Sequence, residues 1–163
     1  MAFALTREDL LSQLSVLLAG RSAEEIAFGR ISTGAQNDLQ RATDIARAMV
    51  TEFGMSDELG AVNYNGHKRS AFLDTPFMQE RGNYAEETAR KIDAEVKRIL
   101  TTAHEEARRI LRERRDVLDE LSERLLVKEV IEAEEFRELL GPVPPKDPNA
   151  LPAEIPPPGP LEA

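Results

Sequence analysis

The chain of 163 residues has no cysteine and no tryptophan, and only 5% of it is aromatic. The first absence excludes disulfides, thiolate nucleophiles and thiolate metal ligands, and it suits a reducing compartment. The shortage of aromatics leaves a core to be built mostly from Leu, Ile, Val and Ala, within a hydrophobic content of 41%. No run of about eighteen apolar residues is present to cross a bilayer. No G-x-x-x-x-G-K-[ST] loop is present to cradle nucleotide phosphates. Met1-Ala2-Phe3-Ala4-Leu5 meets Arg7-Glu8-Asp9 too soon for a signal peptide. Positive charge is also scarce: 21 bases stand against 30 acids, a net charge of −9. That is the wrong sign for a phosphate-backbone surface, so nucleic acid is not expected as a partner. Local clusters do occur at Lys68-Arg69 and from Arg108-Arg109 through Arg112 to Arg115. The second is interleaved with Glu105, Glu106 and Glu113, which reads as a solvated helix face with intrahelical pairs.

Proline is nearly missing from the first part of the chain. All prolines except Pro76 lie beyond Gly141. The expectation is one folded unit over residues 1–141 and an extended, solvated, disordered tail over 142–163. Within the folded part the hydrophobic period is helical. Thr6 followed by Glu8-Asp9 is a helix start, with Leu10, Leu11, Leu14, Leu17 and Leu18 as the buried stripe. Gly20 is expected to interrupt that helix, with Ser22-Ala23-Glu24-Glu25 capping a short restart that ends at Gly29. Ala19 and Gly20 are small enough to allow close backbone approach there. Glu24 and Glu25 read most simply as acids of that first turn.

Residues 55–83 hold no sustained helical period, and Gly60, Asn63, Asn65-Gly66, Pro76 and Gly82 mark turns. His67 falls in this stretch and reads as an exposed polar residue; Ala61-Val62-Asn63-Tyr64 reads as a strand or as extended chain. From Tyr84 a long helix is expected, capped at Asn83. Its stripe is Ala85, Ala89, Ile92, Val96, Ile99, Ala103, Ala107 and Ile110, spaced either for a coiled-coil seam or for one face of an antiparallel helix pair. His104 sits off that stripe. A further helix with Leu118, Leu121 and Leu125 is expected to pack back on the long one, and Glu134 to Leu140 makes a last short helix stopped by Gly141-Pro142. The fold class is therefore mainly α: a bundle of about five helices, a loop-rich insertion and a Pro-rich disordered tail.

One acid interrupts this pattern. After Gly29-Arg30-Ile31-Ser32-Thr33-Gly34-Ala35-Gln36-Asn37, the helix beginning near Asp38 carries Leu39, Ala42, Ile45, Ala46, Met49, Val50 and Phe53 on one arc. Asp38 falls inside that arc, whereas Asp44 projects to the solvated side. A carboxylate aimed at an apolar face needs a partner. The helix's own first amides, a basic side chain and a metal ion all qualify, and spacing alone favours the helix start, where an acid gains about 0.3–1 kcal/mol.

The run Leu18-Ala19-Gly20-Arg21-Ser22-Ala23-Glu24-Glu25-Ile26-Ala27-Phe28-Gly29, followed by Ser32 to Leu39, closely resembles the protease domain of FtsH-type proteins. These are membrane-anchored, ATP-dependent zinc metalloproteases. The resemblance continues through Ala42-Thr43, Ala46-Arg47, Met49-Val50 and Gly54-Met55-Ser56. It returns at Tyr84-Ala85-Glu86-Glu87-Thr88-Ala89, Ile92-Asp93 and Glu95-Val96, so that it spans about residues 5–141 in the family's order. In that family zinc is held by two histidines of an H-E-x-x-H helix and by a distant Asp, whose segment matches Thr33 to Asp38. The resemblance thus implies that Asp38 is the third protein ligand, with the fourth position kept for water and the motif's Glu as general base.

The chain departs from the family at one decisive point: it contains no H-E-x-x-H, and His67 and His104 are not at helical spacing. The resemblance therefore implies residues 1–141 to be the C-terminal portion of a zinc metallopeptidase domain. Two zinc ligands, the general base, the ATPase and the membrane anchor would all lie upstream. The complete protein is expected to degrade unfolded or membrane polypeptides as a homo-hexamer at a bacterial inner membrane, its protease domain facing the cytoplasm. The chain by itself is expected to be soluble, to hold no zinc and to hydrolyse neither casein nor ATP. The competing expectation is a non-enzymatic helical module in which residues 84–127 serve oligomerisation or docking, and Asp38 is only a helix-start acid.

Overall fold

A computed structural model of the protein describes residues 4–65 and 84–142. His67, Lys68-Arg69, Pro76, Gly82, Asn83 and the Pro-rich tail beyond Pro142 lie outside the described residues. Five helices follow in order: α1 Arg7–Phe28, α2 Gln36–Thr51, α3 Glu86–Glu113, α4 Arg115–Lys128 and α5 Ala133–Leu140. No strand occurs among the described residues, as a mainly α fold requires.

The start of α1 follows its sequence signal. The Thr6 side chain accepts from the Asp9 amide at 3.2 Å, and Asp9 reaches back to accept from the Thr6 amide at 3.0 Å. Two of the orphan amides of the first turn are thereby satisfied. Leu10, Leu14 and Leu18 are buried, with Leu11 and Leu17 packed at their margin.

The expected break at Gly20 does not occur. The helix runs unbroken for 22 residues, because Gly20 is exposed and its hydrogen on Cα faces open space. Close backbone approach is likewise absent there. Ser22 is no cap: it is fully buried, and its hydroxyl donates to the Leu18 carbonyl at 2.9 Å, satisfying itself inside the helix. Gly29 ends the helix at φ 63°, its amide donating to Glu25 O.

Three helices make the core. Leu14, Leu18, Ala42, Ala46, Met49, Val50, Ile92, Val96, Ile99 and Ala103 form one buried cluster shared by α1, α2 and α3. Ser15 Oγ donates to Ala103 O, and Glu25 faces His104 and Arg108, so α1 and α3 run in the same direction. Arg7 at the start of α1 pairs with Asp57, just past the end of α2. The middle helix α2 therefore runs opposite to its two neighbours. The α3 stripe is a packing face within this chain, but its main neighbour is parallel rather than antiparallel. The return between the parallel α1 and α3 is α2 itself.

Several ends differ from the periodic reading. Leu39, Phe53 and Ile110 are exposed, and Phe53 lies beyond the end of α2. α2 stops at Thr51, short of Gly54. α3 begins after Ala85 with no side-chain cap, in place of the expected cap at Asn83. Ala61 to Tyr64 forms no strand: Ala61 sits in a bend where the Val62 amide donates to Gly60 O at 2.9 Å, and the Tyr64 amide donates to Thr51 O at 2.8 Å.

The last two helices depart most. α4 has no buried residue; Leu118 and Leu121 are only half-buried and Leu125 is exposed, so it does not pack its apolar face along α3. It meets α5 instead through charge. Glu135 accepts from Arg124 at 2.9 Å and from Lys128 at 2.9 Å. Lys128, then Arg124, hold the Glu135 carboxyl below the usual carboxylate range.

Candidate metal centre

Asp38 is the third residue of α2, so its side chain leaves from the first helical turn. Its neighbours on the arc, Ala42 and Met49, are fully buried, while Asp38 itself is half-buried at the rim. Of the partners open to it from sequence, two are not taken. No side chain caps α2, and Asp38 makes neither a hydrogen bond nor an ion pair among the described residues. Its carboxylate oxygens keep their lone pairs, next to the positive end of a helix.

The turn before α2 is held in place by α1. Glu24 Oε1 accepts from the Ser32 hydroxyl at 2.8 Å, and Glu24 Oε2 accepts from the Ser32 amide at 3.3 Å. The same hydroxyl accepts from the Gly34 amide at 3.1 Å. The Gln36 amide donates to Thr33 O at 3.1 Å and closes the turn on the helix. The backbone leading to Asp38 is thus tied to α1, and among the described residues the Asp38 side chain has no partner. Glu24 does more than act as a helix acid, and its partner lies eight residues away, a spacing that no local rule connects and the sequence did not signal.

Two further charged groups were not singled out from sequence. Glu95 lies on the apolar stripe of α3 with a side chain only 8% exposed. It accepts from Arg98 Nε at 2.7 Å, Arg98 Nη2 at 2.9 Å and Ser56 Oγ at 2.6 Å. The Arg98 bonds hold its carboxyl below the usual range against the opposing effect of burial, and Ser56 adds to them. This cluster fixes the start of the segment after α2. Position 95 falls between Ile92 and Ile99 at helical spacing, so its burial was readable in principle. The second group is Glu25 with His104 and Arg108, which bridges α1 and α3. His104 was expected at a solvated helix position; it is partly buried against α1 instead.

No group of three or more His, Asp, Glu or Cys side chains that could hold a metal ion stands together among the described residues. Asp38 therefore stands apart from any such group among the described residues. One carboxylate can fill one position of a tetrahedral zinc shell, and the described residues do not supply the others.

Residues 1–139 match the model of peptidase family M41, and the chain belongs to that family. It is 50% identical over 136 residues to the ATP-dependent zinc metalloprotease FtsH of Syntrophobacter fumaroxidans, covering 83% of this chain and 21% of that protein. The protein of the same name from Rhodothermus marinus is 50% identical over 142 residues, 85% of this chain and 19% of the relative. That of Thermotoga maritima is 46% identical over 139 residues, 85% and 23% respectively. The chain spans about a fifth of the length of these curated relatives.

Proposed function

We propose that this chain is the C-terminal portion of the catalytic domain of an ATP-dependent zinc metalloendopeptidase, and that Asp38 supplies one carboxylate oxygen to its zinc. The observation that carries this is the uncommitted Asp38 carboxylate on a backbone fixed by the Glu24–Ser32 turn. Family membership over residues 1–139 supports it. The two histidines and the general base belong to an H-E-x-x-H helix in polypeptide outside these 163 residues. Zinc held there supplies Lewis acidity and lowers the pKa of a bound water, the chemistry of peptide hydrolysis.

In this reading the substrates are unfolded polypeptides and membrane proteins, delivered by an ATPase module of the same polypeptide, and the complete protein works as a hexamer anchored in a membrane. No helix among the described residues is long and apolar enough to cross one, so the anchor also belongs to other segments. Asp38→Asn in the complete protein tests the assignment. Zinc content by metal analysis and casein cleavage should both be lost, while the thermal unfolding of the 163-residue chain carrying the same change shifts by less than about 0.5 kcal/mol. Retention of zinc and cleavage by the variant refutes the ligand role. Zinc-dependent casein cleavage by the 163-residue chain alone refutes the division of the site between two segments.

A further inference from the structure

We propose that the tip of the α4–α5 hairpin is a docking surface for a cationic amphipathic segment of another polypeptide. Leu126, Val127 and Val130 are 85%, 84% and 67% exposed, and Leu125 and Phe136 are exposed with them. Five large apolar side chains left in water so close together in the chain exceed the singly scattered hydrophobics of an ordinary surface.

The hairpin does not fold these residues onto its own core. Neither α4 nor α5 has a buried residue, and helices of 14 and 8 residues are too short to stand in water on propensity alone. What fixes the pair is polar. At its base the Arg114 guanidinium donates to the Leu140 carbonyl, and Arg115 Nη1 donates to Ile26 O at 3.2 Å. Nearer the tip, Arg124 and Lys128 each donate to Glu135 at 2.9 Å. The reversal passes through Glu129 at φ 62°, a left-handed backbone that residues with a side chain rarely adopt. Its amide donates to Leu125 O at 2.8 Å. The strained residue thus stands between Leu126-Val127 and Val130 and holds the tip in one shape.

Charge identifies the occupant. Residues 115–140 carry nine acids and four bases, a net charge of −5. Three of those bases are already engaged: Arg115 by Asp119, and Arg124 and Lys128 by Glu135. Glu123, Glu129, Glu132 and Glu134 flank the apolar residues, exposed and with no side-chain hydrogen bond or ion pair among the described residues. A second copy would set the same acids against these, and like charges oppose that contact. A segment with an apolar face bordered by Lys or Arg satisfies both features, covering the exposed side chains and meeting the glutamates. Binding there involves neither zinc nor Asp38, so it stands or falls apart from the ligand assignment.

The test is fluorescence anisotropy with the 163-residue chain and a labelled helical peptide of about eighteen residues made of Leu and Lys, at low and high salt. The chain should bind it. Leu126→Ser with Val127→Ser should weaken binding about tenfold and leave thermal unfolding unchanged, both side chains being exposed. Glu129→Gln with Glu132→Gln should weaken it at low salt only. Val16→Ser, at an apolar position of α1 that is 74% exposed, should change nothing. Equal binding by the Ser pair, or equally tight binding of a peptide with Glu in place of Lys, overturns the proposal. So does self-association of the chain in sedimentation that the Ser pair abolishes, which would make a second copy the occupant. A melting temperature lowered by the Ser pair in the complete protein alone would assign the tip to the rest of its own polypeptide, and overturns the proposal as well.

Discussion

Replacing Glu95 with Gln removes the one buried charge among the described residues, which sits on the apolar stripe of α3. The carboxylate accepts three hydrogen bonds, two from Arg98 and one from Ser56, and the side chain is 8% exposed against 20% for Arg98. Gln keeps the shape and one acceptor oxygen, but its amide turns donor toward donor at the second Arg98 contact. The guanidinium then loses its counter-charge in a nearly closed site. Breaking a fully buried pair costs about 3–5 kcal/mol, and the residual access of water to Arg98 lowers that to about 2–3 kcal/mol here. For a chain of this size the melting temperature should fall by about 4–12 °C at pH 7.

The pH dependence supplies a second and stricter check. Glu95 titrates below its ordinary value in the folded chain, chiefly through the Arg98 bonds. A depressed acid contributes stability that is present above its unfolded pKa and is lost as pH falls through the folded one. The gap between wild type and Glu95→Gln should therefore be full at pH 6 and shrink progressively below about pH 4.5, the range where glutamate protonates. Circular dichroism melts from pH 7 to pH 3 measure it. A loss under 2 °C at pH 7, or a gap that stays constant to pH 3, refutes the reasoning and makes the cluster a bystander.

Two further substitutions probe packing and backbone. Ile92 is fully buried at the centre of the α1–α2–α3 core, so Ile92→Ala should cost about 2–5 kcal/mol in urea unfolding, and a cost under 1 kcal/mol would mean that the core collapses around the void. Gly54 has φ 61°, and a Cβ there stands 3.0 Å from the Ala61 Cα; Gly54→Ala should cost about 1–3 kcal/mol, combining left-handed strain with that backbone clash, and an unchanged midpoint would contradict both.

The helical skeleton was legible because the core is made of long aliphatic stripes with few competing signals. Thr6 with Asp9, the Leu10–Leu14–Leu18 stripe and the stop at Gly141 each follow from a local rule. What local rules misplaced was tertiary in origin. Gly20 costs a helix about 1 kcal/mol relative to Ala, which flanking leucines buried on α2 and α3 outweigh, so the helix continues. The α4 leucines have a helical period yet stay exposed or half-buried, because α4 leaves the end of α3 at Arg114 and is held to α5 by Glu135. Periodicity identifies a face; it does not say what covers it.

The same limit applies to the site, and there it has a chemical meaning. Asp38 was visible as an acid on an apolar arc, where helix capping and metal binding make identical demands on sequence: a short carboxylate in a first turn. The hydrogen bonds of the described residues bear on the first of these. A capping acid spends its lone pairs on the amides of its own helix, as Asp9 does with Thr6 at the start of α1. Asp38 spends none, although the amides of α2 are within its own turn. Among the described residues the half-buried Asp38 carboxylate has no hydrogen bond or ion pair, which leaves its lone pairs open to a ligand under the proposed reading. The burden of placing it has moved to Glu24, Ser32 and Gly34, residues whose cooperation spans two helices and an intervening turn. Replacing Glu24 with Gln should for that reason leave the three-helix core standing while loosening the turn, visible as faster amide exchange at Ser32 and Gly34 with a melting temperature within about 2 °C of wild type. Unchanged exchange at both amides would show that the turn holds Asp38 without help from α1.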